Sequence, residues 1–382
     1  MKRFELWKIR RELYRMRQQV VHGVTGALYD QPRQYFHDRS FGNHLQVTVG
    51  ARSFGNKIAL FVLYQPAGIA ASICFTLDHL ASQGWSPLVV SNAPLSAPDR
   101  AALTARAALV VERPNVGYDF GAYRDGLRVM TERGLRPERL ILMNDSTWFP
   151  LREGDTSLAR MEASGLDMIG HNFKIEIAEE PKHDHVESHL LMFSGKALNH
   201  PAFAEFWRTY LMSNFRELTI WRGEKGLTDA MRHAALSFGG LLSRDRMVQL
   251  LEVLDPAELA ETVGQLSHYR PEQRAISDAL LARQPHDEAW RQAVLKMCHD
   301  LLTGRHHFVS TTFIESAMRL GGLGFVKKDK DLRHNLARIR VLEAVDAGRL
   351  APLQDDVRRE MCQMVDRWVE PFDWRLPPGK KE

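Results

Sequence analysis

Four short apolar runs alternate with helical patterns early in the chain, and this alternation leaves few possible folds. The runs cover residues 57–64, 87–91, 109–112 and 140–143. Runs of this length that are rich in β-branched and aromatic residues are typical of buried strands. Strands that alternate with helices require right-handed crossovers, so the pattern predicts an α/β fold with a mostly parallel sheet and helices on both faces.

Length and composition fit a globular protein of about two domains. The chain has 382 residues, of which 44% are hydrophobic and 26% charged. No apolar run reaches the roughly 18 residues of a spanning helix, and no secretory signal begins the chain, so we expect a cytoplasmic protein. Its cysteines, Cys74, Cys298 and Cys362, lack metal-ligand spacing and suit a reducing compartment.

The basic character of the chain is concentrated at its N-terminus. Residues 1–22 hold seven Lys or Arg residues and two Glu, a net charge of +5, against +4 for the whole chain. Phe4, Trp7, Arg11 and Tyr14 recur at helical spacing, which predicts an amphipathic helix on an anionic membrane surface. A solvated helix packed on the body of the protein explains the pattern equally well. Nucleic acid is not expected, because no basic groove with stacking aromatics accompanies this segment.

The first candidate binding motif, residues 115–123, leads from the third predicted strand into a helix. Backbone N–H groups at a helix N-terminus suit a phosphate group, so the motif predicts a nucleotide site. Gly117 permits close approach of a ligand, and Asp119 can accept a hydrogen bond from a ribose or base. The other candidate contacts are Asn115, Tyr118 and Tyr123. A plain strand-to-helix turn capped by Asn115 or Asp119 is the alternative.

The second motif, Asn144-Asp-Ser146, directly follows the fourth predicted strand. Open α/β sheets bind ligands at this edge, so Asn144 and Ser146 are candidate contacts to a nucleotide sugar. Asp145 is a candidate ligand for Mg²⁺ or Mn²⁺, with His189 as a candidate partner. A polar turn is the alternative. The spacing of His185 and His189 lacks the H-E-x-x-H order, which disfavours a metallohydrolase.

Together these motifs resemble the rhamnan synthesis protein F family of bacterial polysaccharide glycosyltransferases, whose domain is related to the GT-A nucleotide-sugar fold. Further similar segments are residues 189–194, 201–207, 223–228 and 312–335, so the resemblance spans roughly residues 50–340. It implies transfer of a sugar, often rhamnose, from a nucleoside diphosphate to a cell-surface polysaccharide or lipopolysaccharide acceptor. One departure is that residues 144–146 are not the Asp-x-Asp of metal-dependent GT-A enzymes.

Transfer to a sugar hydroxyl requires a carboxylate that takes the proton of the hydroxyl. It also requires a positively charged group that holds the leaving diphosphate. Glu224 is the candidate base, and Asp145 is the candidate anchor of the leaving group. Gly223 and Gly226 around Glu224 predict a loop that approaches the ligand. An inverting mechanism is expected, and a retaining one stays open. Alternatively, Glu224 is a carboxylate that stabilises a helix N-terminus, and Asp229 and Glu187 are then the next bases to test.

The predicted architecture has three parts. Residues 1–50 form the basic helix and a linker, residues 51–240 a GT-A-like catalytic domain, and residues 241–382 a helical region packed on it. Within the second part, residues 167–170 are predicted to form an edge strand, 171–184 a polar loop and 190–193 a further strand. No strand is expected beyond residue 240.

Two other functions fit the same pattern. A non-catalytic saccharide- or nucleotide-binding module of a polysaccharide assembly complex is favoured by the missing second acid beside Asp145. A nucleotidyltransferase is weaker, because no glycine- and lysine-rich loop follows the first predicted strand. The expected partners of the leading function are a nucleotide-sugar donor, a saccharide or lipid-linked acceptor and an anionic membrane surface.

Overall fold

A computed structural model describes residues 23–175, 184–304 and 309–369 of the chain. The basic helix predicted for residues 1–22 lies outside these residues. The described chain starts with a helical segment that contains a π-helix, Gly26–Asp30, and helix α1, Gln31–Arg39. Among the described residues, no helix combines the length and apolarity needed to cross a membrane.

The strands and the remaining helices follow along the described chain. The strands are β1 Gln46–Val49, β2 Lys57–Leu63, β3 Ser86–Ser91, β4 Leu109–Glu112, β5 Arg139–Asn144, β6 Thr147–Trp148, β7 Met168–Lys174, β8 His185–Val186, β9 Leu190–Phe193, β10 Phe238–Ser243 and β11 Val326–Lys327. The helices up to β10 are α2 Ala71–Ser82, α3 Ala97–Thr104, α4 Tyr118–Glu132, α5 Ser157–Ala163, α6 Gly195–Asn199, α7 Pro201–Thr209, α8 Arg216–Thr219, the π-helix Ile220–Lys225 and α9 Gly226–His233. After β10 come α10 Arg244–Glu252, α11 Pro256–Gly264, α12 Pro271–Ala282, α13 Glu288–Thr303, α14 Ile314–Gly321, α15 Leu332–Asp346 and α16 Asp355–Val369.

The central sheet has the order β1-β4-β3-β2-β5-β9-β7-β10, with β8 paired to β7. Strands β2 to β5 are parallel, as predicted, and so are β7 and β10. Strands β1 and β9 run antiparallel to their neighbours. The fold is therefore a mixed α/β fold with a largely parallel sheet flanked by helices, while its relation to the GT-A fold stays a prediction.

Alternate residues of the central strands pack into two separate cores. On β2, Ala59, Phe61 and Leu63 face α2, α3 and most of the helices that follow β10. Ile58, Leu60 and Val62 face α4, α7 and α9. The continuous apolar runs thus reflect a sheet that is buried on both faces.

The chain reverses its direction of travel across the sheet after β4. It runs from β2 through β3 to β4 on one side and then returns to β5 on the other side of β2. The loops that follow β2 and β5 therefore lie side by side at the carboxyl edge of the sheet, where the strand order reverses. Open α/β sheets bind ligands at such a switch point.

The structure corrects three expectations about strands. The strand predicted at 167–170 is internal, since β7 lies between β9 and β10, and it continues into the segment predicted as a loop. The expectation that no strand occurs beyond residue 240 is also wrong, because β10 extends past that position and β11 follows later. Glycines concealed β10 in the sequence. A Cβ atom on Gly240 would lie 2.4 Å from the backbone nitrogen of Phe173, so this close pairing needs glycine.

Candidate functional site

Asp145 lies in the loop after β5, next to the loop after β2. Its Oδ2 atom accepts hydrogen bonds from the backbone N–H of Tyr64, at 3.0 Å, and from Nε2 of Gln65, at 2.6 Å. The half-buried carboxylate thus bridges the two loops at the switch point. This is the edge where the sequence places a leaving-group anchor.

Asn144 connects the two motifs that the sequence singles out. Its Nδ2 atom donates to Oδ2 of Asp119 across 2.8 Å. Its Oδ1 atom accepts from the backbone N–H and the hydroxyl of Ser146, at 3.1 and 2.6 Å. Asp119, Asn144, Asp145 and Ser146 therefore form one cluster, although Ser146 is exposed and its hydroxyl turns back toward Asn144.

The loop before α4 has an unusual backbone. Gly117 and Tyr118 both adopt positive φ angles, of 76° and 51°. A Cβ atom on Gly117 would lie 2.9 Å from Cβ of Met212. The backbone N–H of Gly117 donates to Oδ1 of Asn214 at 2.7 Å. A left-handed conformation costs a tyrosine about 1–3 kcal/mol, so the surroundings must impose it. Such strain clusters at functional sites.

The side chain of Arg113 supports the loop before α4 from the protein interior. Its Nη2 atom donates to the backbone oxygen of Val116 at 2.7 Å, and its Nε atom donates to Oδ2 of Asp125 at 2.6 Å. Both charged side chains are fully buried, and Nε2 of His37 lies 2.9 Å from the same carboxylate oxygen. Burial favours a higher pKa for Asp125, but the hydrogen bond with His37 and the charge of Arg113 outweigh it and lower that pKa.

Three residues predicted to bind the nucleotide differ in accessibility. Asn115 and Tyr118 are exposed. Tyr123 is fully buried against Phe120 and Trp207, and its hydroxyl donates to the backbone oxygen of Ser188 at 3.1 Å. Tyr123 therefore supports the turn that precedes β9 and presents no surface to a nucleotide in this structure.

The segment around Glu224 is helical, which corrects the loop expected there. The π-helix Ile220–Lys225 continues directly into α9. A Cβ atom on Gly223 would lie 2.6 Å from the ring of Phe120, whereas Gly226 has ordinary helical angles. The first glycine thus allows close packing of the helix on the core. It does not provide an approach for a ligand.

The side chain of Glu224 faces the turn between β8 and β9. Its Oε1 atom accepts from the hydroxyl of Ser188 at 2.5 Å, and its Oε2 atom lies 3.5 Å from Nε2 of His185. Burial works against ionisation of Glu224, but the hydrogen bonds and charge of His185, together with Ser188, lower its pKa. Glu224 is therefore ionised at neutral pH, as a proton acceptor must be.

Asp119 has the opposite shift. Burial, followed by the negative charges of Asp145 and Glu224, raises the pKa of Asp119 to about 7. Three carboxyl groups from separate parts of the sequence therefore interact electrostatically at one edge of the sheet. A group with this pKa can give or take a proton near neutral pH.

Two lysines reach the site from the C-terminal part of the chain. The pairing of β11 with β6 places the backbone N–H of Lys328 2.8 Å from the backbone oxygen of Ser146. Burial lowers the pKa of the Lys328 side chain, while the negative charges of Asp145 and Glu360 oppose this shift. Lys327 donates to Oε1 of Glu187 at 3.0 Å. Neither lysine was assigned to the site from sequence, although residues 324–327 belong to a segment with family resemblance.

His189 is placed differently from a metal ligand exposed to solvent. Its ring packs on Phe325 and stacks with His171, with centroids 4.2 and 5.5 Å away, and burial lowers its pKa to about 4. Its backbone oxygen accepts from the N–H of Asn144 at 3.1 Å. Within the described ranges, no three His, Cys, Asp or Glu side chains form a group that could hold a metal ion. A metal held by Asp145 and His189 stays a prediction.

Comparison with known proteins agrees with the motifs. Residues 88–250 match the model of the family described as rhamnan synthesis protein F. The chain is also 35% identical over 225 residues to the uncharacterized protein y4gN of Sinorhizobium fredii. That alignment covers 58% of this chain and 57% of the relative, a little over half of each. The segment that matches the rhamnan synthesis protein F model therefore includes Asp119, Asp145 and Glu224.

Proposed function

We propose that the chain is a glycosyltransferase that moves a sugar from a nucleoside-diphosphate sugar to a cell-surface polysaccharide or lipopolysaccharide acceptor. The observation that carries this proposal is the convergence of Asp119, Asp145 and Glu224 at the switch-point edge, inside the segment that matches the family. The family makes rhamnose the first sugar to test.

Glu224 is the proposed base of an inverting transfer. Its carboxylate takes the proton of the acceptor hydroxyl while the hydroxyl oxygen attacks the anomeric carbon and the bond to the diphosphate breaks. The contacts with Ser188 and His185 support this role, because they keep the carboxylate ionised and fix its orientation. A retaining reaction by double displacement would need an enzyme nucleophile on the face of the sugar opposite the leaving diphosphate.

The leaving diphosphate needs positive charge near Asp145. Lys328 is the proposed source within the chain, and the N-terminus of α4 adds backbone N–H groups. Asp145 would hold a Mg²⁺ or Mn²⁺ ion, since such ions bind through one or two carboxylates and keep several waters. Bound there, the ion would neutralise the diphosphate.

The first motif is the proposed nucleotide site. Asn115 and Tyr118 provide exposed polar and aromatic surface beside the N-terminus of α4. Asp119 lies behind them, and in its protonated form it can donate a hydrogen bond that an ionised carboxylate cannot. This arrangement would let the site accept an anionic nucleotide without placing a third full charge against it.

A non-catalytic nucleotide- or saccharide-binding module is the second candidate. It is favoured by the missing second acid of the motif Asn144-Asp-Ser146. Glu187 does not obviously replace it, since its carboxylate is paired with Lys327. Such a module would use the same loops at the carboxyl edge of the sheet without a working base.

Thermal unfolding in the presence of UDP, GDP, dTDP and CMP, each with and without Mn²⁺, tests the proposal. A bound nucleotide at a hundredfold excess over its Kd raises the free energy of unfolding by about 2.7 kcal/mol. We expect one diphosphate to stand out, and its sugar conjugates then become the donors for turnover assays. Binding without turnover would favour the module, and a flat response across the panel would contradict both candidates.

A further inference from the structure

The helical segment at residues 23–39 carries a concentrated apolar surface on its outer side. Its exposed large apolar side chains are Val24, Leu28, Tyr29, Tyr35 and Phe36, each between 49% and 66% accessible. We call these five residues the outer face. Isolated exposed apolar residues are ordinary, but a concentration within 13 residues is typical of an interaction surface.

The inner side of the same segment is fixed to the body by charged contacts. Asp30 pairs with Arg222 at 2.6 Å, His37 contacts Asp125 at 2.9 Å and Asp38 pairs with Arg124 at 2.6 Å. The outer face is therefore held in a definite orientation. The elements that hold it are α4, which carries Asp119, and the π-helix that carries Glu224.

Charge identifies the surface that would cover the outer face. The 22 residues that precede Gly23 carry a net charge of +5, and Arg33 and Arg39 are exposed on the segment itself. Tyrosine and phenylalanine beside cationic side chains suit the boundary between lipid headgroups and acyl chains. Basic residues near that boundary are attracted to anionic lipids.

We infer that the outer face binds an anionic phospholipid surface directly, with Leu28, Tyr35 and Phe36 entering the headgroup region. The basic residues that precede Gly23 in the sequence add electrostatic attraction to the same anionic surface. Only one consequence rests on the proposed function: the helices carrying Asp119 and Glu224 would be held close to a membrane where a lipid-linked acceptor resides.

Flotation of the full-length protein with vesicles tests this inference. The vesicles are pure phosphatidylcholine or a mixture with phosphatidylglycerol, and no nucleotide is present. We expect binding to the anionic vesicles that falls as salt is raised, because the Debye length shrinks from about 10 Å at 0.1 M to about 3 Å at 1 M. Replacing Leu28, Tyr35 and Phe36 together by serine should weaken this binding at least tenfold with the melting temperature preserved.

The matched control replaces Val253 and Ile276, which are 80% and 53% exposed, by serine and should bind as the wild type does. As a second measurement, Phe36→Trp should show a blue-shifted emission with anionic vesicles and quenching by brominated lipid. Unchanged binding of the triple serine variant would overturn the inference. A dimer in solution that the triple variant dissociates, without vesicle binding, would overturn it in favour of a second copy. The flotation experiment uses no sugar donor. Its result therefore does not depend on whether the protein has transferase activity.

Discussion

Nδ2 of Asn144 donates a 2.8 Å hydrogen bond to Oδ2 of Asp119, joining residues 25 positions apart in the chain. An amide N–H can donate to a carboxylate and to a protonated carboxyl group alike. Asn144 therefore keeps Asp119 in place through a change of protonation. Burial of Asp119, together with the neighbouring charges of Asp145 and Glu224, then sets the pH at which that change occurs.

The pH dependence of stability should reveal the raised pKa of Asp119. Its pKa is about 7 in the folded protein, whereas the ordinary value for an aspartate is 3.8. The folded state therefore binds this proton more tightly than the unfolded state does. The resulting stabilisation is complete below about pH 4 and is lost as pH rises through about 7. Asp119→Asn should remove this loss and raise the free energy of unfolding at pH 8 by on the order of 1–3 kcal/mol relative to the wild type.

Thermal or urea unfolding of both proteins at pH 5 and pH 8 measures the effect of this substitution. The advantage of the asparagine variant should be larger at pH 8. An advantage that is equal at the two pH values would show that Asp119 ionises normally.

Asp145→Asn should abolish or strongly weaken nucleotide-diphosphate binding while the fold is retained. Asparagine keeps an oxygen that can accept from Tyr64 and Gln65, but it lacks the charge that a cation requires. We expect the melting temperature to change by about 2 °C or less, in line with a stability change of a few tenths of a kcal/mol. Titration calorimetry with the nucleotide identified by the panel measures binding, and normal affinity would remove Asp145 from the site.

Glu224→Gln should lower kcat by about 10²- to 10⁴-fold with nucleotide affinity preserved, because a general base contributes a factor of that size. The matched control is Asp229→Asn, which removes a partly exposed carboxylate that pairs with Arg232 on the next helical turn. The control should keep kcat within about threefold of the wild type. If Asp229→Asn loses activity and Glu224→Gln does not, the base assignment moves to Asp229.

Alanine substitutions of the two glycines beside Glu224 should have opposite effects on stability. Gly223→Ala would force a Cβ atom to within 2.6 Å of the Phe120 ring and should destabilise the protein by about 1–3 kcal/mol. Gly226→Ala meets its nearest neighbour, Phe206, at 3.5 Å and should stabilise the helix by up to about 1 kcal/mol. Urea unfolding measures both, and equal effects would contradict the packing role of Gly223.

Strand positions were predictable where the hydrophobic pattern was continuous. Strands β2 to β5 are buried on both faces, so their apolar runs identified them and the edge at which Asn144 and Asp145 lie. Strand β10 was hidden, because its glycines are required by a neighbour distant in sequence. The hydrophobic pattern of a segment indicates which of its residues are buried. It does not indicate which other segment of the chain packs beside it.

The same distinction applies to the candidate site. Asp119 and Asp145 were found because each follows a strand end, which is a local signal. Lys328 reaches the site only through the pairing of β11 with β6, and Ser188 contacts Glu224 from 36 residues away. The π-helix around Glu224 was mistaken for a loop, because its paired glycines are also the local signature of a turn.

The ion pair between Asp30 and Arg222 spans 192 residues of chain. At ribosomal rates of 5–20 residues per second, synthesis of that interval takes about 10–40 s. Through this time the first helical segment of the described chain has no Arg222 to bind, although the strands β2 to β5 are already complete. The segment can thus bind Arg124 and Asp125 of α4 about 100 residues of synthesis before its last ion pair, with Arg222, becomes possible.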